Sequence, residues 1–307
     1  MDFMTTAGRI VSLFLIMVVG YVMNKVGVID RDANVRYTKL VINISLPAQI
    51  ITAFISNRGI VSNQEVLMVF AITFVIYAVY GILAVLFTWM LRVPPKQKGT
   101  YMFMTMFGNI GFMGFPVITA IFGEEAMIYA VICNVVFNVL VYSVGITMIS
   151  SSDDGVAKFQ LRRLRNMPLM AAGLSIFLYF TGIPLPEQVM TSLDFMGNVT
   201  TPVAMLILGS TIAGMPIREL FDEWRIYIFS ALKLLVVPLI IIFLLDRFSM
   251  DSELLKGTLI VLTAMPVATN TTMLAIEYDG DVQLASKGIF FTTVLSILTI
   301  PLITMMC

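Results

Sequence analysis

Long apolar stretches separated by short polar segments dominate the pattern of residues along this chain. A helix needs about 20 mostly apolar residues to cross the hydrocarbon core of a bilayer. The hydropathy pattern predicts ten such spans joined by short loops. They run from Ile10 to Met23, Leu40 to Ile55, Val66 to Leu91, Thr100 to Phe122, Ala126 to Ile149, Met167 to Ile183, Val189 to Ile212, Ile226 to Leu245, Leu254 to Ile276 and Ile289 to Met306. The expected fold is therefore an all-α integral membrane protein.

The fourth span has an unusual centre for a transmembrane helix. It carries no charge, yet its middle contains Gly108, Asn109, Gly111, Gly114 and Pro116. Proline cannot donate a backbone hydrogen bond and crowds the carbonyl four residues earlier, while glycine lowers the cost of leaving helical geometry. We expect a helix broken near mid-membrane, which is tolerated only beside protein or a wet cavity. The alternative is a kinked packing helix with close glycine contacts.

The ten spans divide into two sets of five. The predicted boundaries are residues 1–149 for the first repeat, 150–166 for a cytoplasmic linker and 167–307 for the second repeat. Five spans is an odd number, so the second set would be inverted relative to the first. Residues 43–47 and 198–202 both read Asn-x-Ser/Thr-x-Pro, and Lys-Gly-Thr opens both the fourth span at Lys98 and the ninth at Lys256. These matches predict inverted repeats, with the polar residues 269–272 of span nine corresponding to the break in span four.

Composition excludes several classes of protein. Hydrophobic residues make up 59% of the 307 positions and charged residues only 12%, which is not the composition of a soluble protein. The net charge is zero, so the chain lacks the basic surface of a nucleic-acid binder. There is no histidine, and Cys133 and Cys307 lie in apolar runs, which indicates neither a disulfide framework nor a zinc site.

The distribution of basic residues predicts the orientation in the membrane. Of the 19 Lys and Arg residues, fourteen fall in loops on one side of the predicted spans and four on the other. Loops rich in Lys and Arg remain in the cytoplasm. We expect a multi-pass protein of the cell membrane with both termini outside the cytoplasm and the linker inside.

Polar residues at the centres of spans four, five and nine predict a substrate site. Broken helices place helix ends inside the membrane, and the N-terminal ends suit an anion. Paired broken spans in corresponding halves are the expected position of a transport site. The alternative is that these side chains only hold helices together. The candidate substrate-binding residues are Asn109, Gly111, Gly114, Pro116, Asn134, Asn138, Thr269, Asn270, Thr271 and Thr272.

A second set of polar and helix-breaking residues is expected to support the site. An intramembrane lysine is costly and is a functional hypothesis by default, although Lys233 could also snorkel to the cytoplasmic surface. No acidic residue lies mid-span beside the breaks, which argues against a proton relay through a buried carboxylate. The supporting residues are Asn43, Pro47, Gln49, Pro202, Lys233 and Pro266.

The chain resembles a bacterial member of the auxin efflux carrier family, which has the bile acid:sodium symporter-like fold. The resemblance covers nearly the whole chain. It rests on Gly20-Tyr21, Leu40-Val41, Leu46-Pro47, Gly108-Asn109, Gly114-Phe115-Pro116, Phe122-Gly123, Lys233-Leu234, Pro238, Met265-Pro266, Glu277-Tyr278 and residues 292–301. It implies that spans four and nine cross at their breaks. It also implies a scaffold of spans one, two, six and seven, and a moving transport domain of spans three to five and eight to ten.

The function expected from the residues and the resemblance is transport of a small organic anion, malate-like or auxin-like, by elevator-type alternating access. In plant members a proline stands at the ninth-span crossover where this chain has Asn270-Thr271, which favours a smaller and more polar substrate. A sodium-coupled symporter of the same fold is the alternative. An intramembrane enzyme would need a nucleophile–base pair or a metal cluster. The lack of histidine and of mid-span carboxylates in this sequence argues against it. No cofactor is indicated, Na⁺ or H⁺ stays open as a coupling ion, and a homodimer through the scaffold is compatible with the resemblance.

Overall fold

A computed structural model of the protein describes residues 3–56, 62–150, 167–214, 221–247, 252–278 and 280–306. Most of these residues are helical, and no strand occurs among them. The predicted linker lies outside the described residues except for Ser150. The helices are α1 Phe3–Lys25, α2 Arg31–Leu40, α3 Leu46–Ser56, α4 Asn63–Met90, α5 Pro95–Met106, α6 Phe115–Phe122, α7 Met127–Leu140, α8 Ile146–Ile149, α9 Met167–Thr181, α10 Glu187–Asn198, α11 Thr200–Ala213, α12 Trp224–Ala231, α13 Val237–Leu245, α14 Glu253–Thr263, α15 Thr271–Glu277 and α16 Val282–Thr304.

Several of these helices continue one another and are long enough to cross a membrane. By length and composition, six helical stretches of the described chain qualify. They are Arg31–Ser56, Gln64–Met90, Glu124–Ile149, Glu187–Ala213, Trp224–Leu245 and Val282–Thr304. Three shorter apolar helices are Val11–Lys25, Ile110–Phe122 and Met167–Thr181. The predicted all-α membrane protein is confirmed at this level, while ten spans in two inverted repeats stay a prediction.

Wider π turns join consecutive helices at three places where a proline follows. The turns Val41–Ser45, Ile110–Gly114 and Leu232–Val236 lead into α3, α6 and α13. Pro47, Pro116 and Pro238 are the second residues of those helices. Proline has no amide to offer the carbonyl four residues back and its ring crowds that carbonyl. The extra residue of a π turn relieves both problems, so the helix axis bends without a long interruption.

The described residues fall into two compact units, which are treated separately. Unit 1 comprises Met1–Ala71, Gly111–Val135 and Leu161–Gly214. Within it α1 packs along α11, and α3 packs against α9 and α10. Glycines make the first contact close, because a Cβ at Gly20 would lie 2.2 Å from the carbonyl oxygen of Leu206 and one at Gly209 would lie 1.8 Å from that of Met17.

Unit 2 comprises Ile72–Ile110, Val136–Gln160 and Met215–Cys307. Its core includes an apolar cluster that α5, α12 and α16 build together. Tyr101, Met104 and Phe229 are at most 1% exposed within that cluster, and the rings of Tyr101 and Phe229 meet edge to face with centroids 5.3 Å apart. This cluster fixes α5 against its neighbours directly before the point where α5 stops.

Candidate functional site

The helix that enters the fourth predicted span stops short of the predicted centre. α5 ends at Met106, and Phe107 takes an extended backbone with φ −109° and ψ 102°. The chain resumes in the π turn Ile110–Gly114 and then in α6. The predicted interruption is therefore confirmed, and it lies at Phe107–Asn109, the N-terminal end of the predicted region. Pro116 begins the second helix, where a missing amide costs little.

The ninth predicted span is interrupted in the same way. α14 ends at Thr263, and α15 starts only at Thr271. Pro266 lies in the gap between them and is buried, as are its neighbours Val267 and Ala268. Buried backbone outside a helix needs other partners for its amides and carbonyls.

The two non-helical segments satisfy each other. Gly108 and Val267 form an antiparallel bridge. The Asn109 amide donates to the Pro266 carbonyl at 2.7 Å, and the Ala268 amide donates to the Phe107 carbonyl at 3.1 Å. A Cβ at Gly108 would lie 3.3 Å from the Met265 carbonyl oxygen, so this residue allows the close approach. Both breaks are thereby joined within unit 2.

A third helix supplies one more partner to the paired segments. The Val267 amide donates to Oγ1 of Thr292 at 3.0 Å, and that hydroxyl donates onward to the Gly288 carbonyl at 2.6 Å. Thr292 is fully buried in α16. The sequence analysis missed this role, although Thr292 and Thr293 are adjacent polar residues inside an apolar span. Their polarity inside an apolar span was the feature from which this role could have been predicted.

Lys233 binds the end of the helix that is interrupted. The side chain is 1% exposed, and Nζ donates to the Thr105 carbonyl at 2.8 Å. In an unbroken helix that carbonyl would accept from the Asn109 amide, which here donates to Pro266. Nζ also lies 5.2 Å from the ring centre of Tyr80, a favourable position for a cation. Lys233 therefore points into unit 2 and does not snorkel, and Thr105 is a site residue that the sequence analysis missed.

Two asparagines next to the paired segments keep unused hydrogen-bonding atoms. Asn109 is 3% exposed, and its Nδ2 is buried without a partner. Asn270 is half-buried, and its Oδ1 likewise has no partner. A buried polar atom without a partner costs about 1–3 kcal/mol, so such atoms in a folded protein indicate a missing ligand or water.

The predicted substrate-binding residues divide between the two units. Asn109, Asn138 and residues 269–272 belong to unit 2, and Gly111, Gly114, Pro116 and Asn134 belong to unit 1. In unit 2, Asn138, Thr269 and Thr272 are half-buried, while Thr271 is buried and donates to the Ala268 carbonyl at 2.6 Å. Asn134 is buried in unit 1. Of these candidates, Asn109, Thr269 and Asn270 lie in the two breaks themselves.

The predicted supporting residues have different environments. Pro47 and Gln49 are buried in α3, and Oε1 of Gln49 has no partner. Asn43 and Pro202 are exposed on unit 1, and the Asn43 amide donates to the Lys39 carbonyl at 2.7 Å. Among the described residues no group of three or more His, Cys, Asp or Glu could hold a metal ion.

A comparison with known families identifies the kind of protein that carries these breaks. The model of the family described as membrane transport protein matches residues 5–304. The chain belongs to this membrane transport protein family. The resemblance to auxin efflux carriers is thereby confirmed, and the protein is a transporter and not an enzyme.

Curated relatives of this transporter are also named as transporters. It is 28% identical to an uncharacterized transporter of Methanocaldococcus jannaschii, over 95% of this chain and 96% of the relative. It is 20% identical to an uncharacterized transporter of Escherichia coli K12, over 96% and 95% of the two chains. A putative malonate transporter of Rhizobium meliloti is 25% identical over 73% of this chain and 72% of its own.

Proposed function

We propose that the protein is a secondary transporter that moves a small organic carboxylate across the cell membrane by elevator-type alternating access. The observation that carries the proposal is the buried Nδ2 of Asn109, a hydrogen-bond donor without an acceptor. It lies beside two interrupted helices whose backbones are paired. Interrupted spans in transporters commonly form the substrate site.

A carboxylate fits the unpaired atoms that the breaks present. A carboxylate is only an acceptor, and it enters an apolar interior only where donors replace its hydration. Asn109 offers one such donor, and a flip of the Asn270 amide would present another. We propose that the carboxylate lies between the two breaks against Asn109 and Asn270, with Asn138 contributing. The malonate named for the Rhizobium relative is a small dicarboxylate of this class.

Neutral donors also suit a protein that must release its substrate. Lys233 is the one intramembrane cation near the breaks in the described chain, and it already donates to the Thr105 carbonyl. In this proposal Lys233 stabilises the end of α5 and leaves the carboxylate to amide donors. A direct ion pair inside the membrane would bind more tightly and release more slowly.

A sodium-coupled symporter of the same fold is the second candidate function. Asn270 Oδ1 and Thr293 Oγ1 in unit 2 are buried oxygens without partners. Oxygen atoms of amides and hydroxyls are ligands for hard cations. Uptake into proteoliposomes with and without an inward sodium gradient, and with and without a pH gradient, separates uniport from coupled transport.

The experiment that tests the carboxylate site compares three alanine variants. Mono- and dicarboxylates, with malonate and malate among them, are screened by thermal shift, since a ligand of the folded state raises its stability. Losing one hydrogen bond to a charged group costs roughly 1.5–3 kcal/mol, which is about 10- to 150-fold in affinity. Asn109→Ala and Asn270→Ala are each expected to weaken binding by that factor. Asn43→Ala, whose exposed amide serves only its own helix, is the matched control.

One outcome would contradict a carboxylate site at the paired breaks. If Asn109→Ala and Asn270→Ala fold and still bind the identified substrate with wild-type affinity, the paired breaks are a packing device. The substrate site must then lie elsewhere in the transporter.

The orientation in the membrane is part of the same proposal. The fourteen-to-four division of Lys and Arg supports a topology with both termini outside and residues 150–166 in the cytoplasm. In a protein that also carries Cys133→Ser and Cys307→Ser, a cysteine introduced as Ser152→Cys should resist an impermeant thiol reagent in intact cells and react after the cells are opened. Efficient labelling of intact cells contradicts this topology.

A further inference from the structure

The two tryptophans of the chain lie at the same end of unit 2, each at the end of a stretch long enough to cross the membrane. Trp89 is the second-last residue of Gln64–Met90, and Trp224 is the first residue of Trp224–Leu245. Their side chains are 75% and 56% exposed. Tryptophans at the ends of spans lie at the level of the lipid headgroups. These two residues therefore mark where unit 2 meets the surface of the bilayer.

An arginine links the two segments that carry these tryptophans. Nε of Arg225 donates to the Leu91 carbonyl at 3.1 Å, so the guanidinium touches the peptide group between Leu91 and Arg92. Cζ of the same guanidinium lies 5.1 Å from the centre of the Trp224 ring. The Arg92 amide donates to the Trp89 carbonyl at 3.1 Å. We call Trp89, Arg92, Trp224 and Arg225 the tryptophan rim.

The tryptophan rim has a fixed base, because each of its arginines has buried neighbours. Leu91 and Val93, on either side of Arg92, are each 4% exposed and belong to the apolar core cluster of unit 2. Ile226, which follows Arg225, is fully buried in the same cluster. Arg92 itself is exposed. The backbone that carries both arginines is therefore held in place while the Arg92 side chain stays at the surface.

Arg92 has a backbone conformation that favours glycine. Its φ is +48°, and it is the one non-glycine residue with a positive φ in the described chain. Its amide and that of Val93 donate to carbonyls three and five residues back, the pattern that ends a helix at a left-handed residue. Gly27 forms the same pattern at the end of α1. An arginine here adds strain that a glycine avoids, so we expect its side chain to have a use beyond folding.

The tryptophan rim and the first turn of α5 carry a surplus of positive charge. Nη1 of Arg225 pairs with Oε1 of Glu223 at 3.0 Å, while Nη2 has no partner in the described chain. Arg92 forms no ion pair among the described residues. The same holds for Lys96 and Lys98, which follow it on α5 and are exposed. Three cations and one edge of a guanidinium are thus open to an anion.

Acidic residues next to the same segments already have partners. Asp222 pairs with Lys287. Asp281 accepts from the Gln97 side chain at 3.1 Å and from the Leu284 amide at 2.9 Å. Neither carboxylate pairs with the cations of the tryptophan rim, so these cations stay available.

An anionic phospholipid fits this surface. A phosphate is an acceptor that guanidinium groups bind with matching geometry. Basic residues just outside a membrane span attract anionic headgroups, and the tryptophans hold the arginines at headgroup level. We propose that the tryptophan rim binds the headgroup phosphate of an anionic phospholipid. Arg92 and Nη2 of Arg225 donate to the phosphate, and Lys96 and Lys98 add positive charge beside it.

This lipid site is independent of the carboxylate proposal, because its residues lie at the membrane surface and not at the paired breaks. A bound headgroup would reinforce the contact between Leu91 and Arg225, and so the join between the end of α4 and the start of α12. The site is tested in vesicles with the same lipid in both leaflets, so the result does not depend on the orientation of the protein.

The test uses the tryptophan fluorescence of the transporter, since both tryptophans of the chain belong to the rim. The full-length protein is reconstituted into phosphatidylcholine vesicles. These contain a small fraction of phosphatidylglycerol or of phosphatidylcholine with brominated acyl chains, which quench nearby tryptophans. We expect brominated phosphatidylglycerol to quench more strongly than the same fraction of brominated phosphatidylcholine. This preference should weaken as salt rises, because exposed charges are screened.

Two substitutions of one arginine test the rim directly. Arg92→Gln and Arg92→Gly should each lower the affinity for phosphatidylglycerol, relative to phosphatidylcholine, by at least about 5-fold, the effect of one basic residue at an anionic surface. Glycine also removes the backbone strain, so Arg92→Gly should fold at least as well as the wild type. Arg36→Gln removes an exposed arginine from α2 and is the matched control, which should keep the preference.

Three results would overturn the proposal. Equal quenching by the two brominated lipids would show that the tryptophan rim is an ordinary lipid-facing surface. An unchanged preference in folded Arg92→Gly would show that the rim arginine does not bind the headgroup. Loss of the preference when soluble glycerol phosphate is added would assign the rim to free phosphate esters instead of a lipid.

Discussion

Two of the close backbone approaches in this protein, one taken from each unit, are built in opposite ways. In unit 1 the helices α1 and α11 stay regular, and Gly20 and Gly209 let their backbones nearly touch. In unit 2 two segments of the chain leave the helical conformation, and they pair through Gly108 and Val267. The first contact depends on glycines, which have no side chain to hold the helices apart. The second depends on backbone groups that form no hydrogen bond within their own helix.

The polar side chains beside these two approaches differ in whether their hydrogen bonds are satisfied. At the end of the α1–α11 contact, the Asn24 amide donates to the Ile29 carbonyl at 2.8 Å, and the Lys25 ammonium donates to the Ala213 carbonyl at 2.9 Å. At the paired breaks, Asn109 and Asn270 each keep an atom without a partner. Regular helices satisfy their own backbone, so polar side chains there can cap and connect. At the breaks the two backbones satisfy each other, and the atoms left unpaired are the side-chain atoms that the carboxylate proposal uses.

The largest expected effect comes from the glycine contact of unit 1. In Gly209→Ala the new Cβ meets a backbone oxygen that cannot move aside, and we expect a loss of about 3 kcal/mol or more of folding free energy. Gly108→Ala, where the gap to the Met265 carbonyl is 3.3 Å, should cost much less. Thermal unfolding in detergent measures both.

Gly173→Ala is the control for the glycine contact, because its Cβ would enter open space on α9. It should be neutral or stabilising by up to about 1 kcal/mol. Equal destabilisation by Gly209→Ala and Gly108→Ala would remove the contrast between the two approaches.

Lys233→Met is expected to have the second-largest effect. It leaves the Thr105 carbonyl without its donor, which should cost about 1–3 kcal/mol of stability. The uptake rate should fall by more than the loss of folded protein explains, because the end of α5 positions Asn109. Lys39→Met, which removes an exposed lysine, is the matched control. Unchanged uptake in a stable Lys233→Met protein would show that the lysine plays no part in transport.

Thr292→Val tests the third partner of the paired breaks. Valine keeps the shape of threonine but leaves the buried Val267 amide without its acceptor, at a cost of about 1–2 kcal/mol. Unfolding temperature is the measurement, and Thr181→Val on the exposed end of α9 is the control. A variant as stable as the wild type would mean that the Val267 amide finds another acceptor.

Pro116→Ala should have the smallest effect on folding. Pro116 follows a π turn as the second residue of α6, so alanine should change stability by less than about 1 kcal/mol. We expect the transport rate to change more than the unfolding temperature, because the turn can tighten. Pro202→Ala in the exposed first turn of α11 is the control. A loss of stability comparable to that of Lys233→Met would show that Pro116 itself maintains the break.

The interruptions in the chain were predictable, but their exact position was not. Glycine, asparagine and proline inside two apolar spans indicated both breaks. The run from Gly108 to Pro116 indicated the first break only to within several residues, and in the structure the break lies at Phe107–Asn109. Local propensity shows that a helix is weak over several residues. The partner segment, whose Pro266 carbonyl accepts from the Asn109 amide and whose Ala268 amide donates to the Phe107 carbonyl, decides at which residue the helix opens.

The sequence by itself determined that the protein is helical and lies in a membrane, because long uncharged apolar runs leave the backbone no other way to satisfy its hydrogen bonds in lipid. It also identified Lys233 and Asn109 as unusual, since polar groups in such runs are costly. Only the tertiary structure decided that Lys233 meets the Thr105 carbonyl, that Gly209 admits the backbone of α1 and that the Tyr101 ring packs on Phe229. Each of these contacts joins residues more than 100 positions apart, and no local pattern encodes which distant group will be the partner.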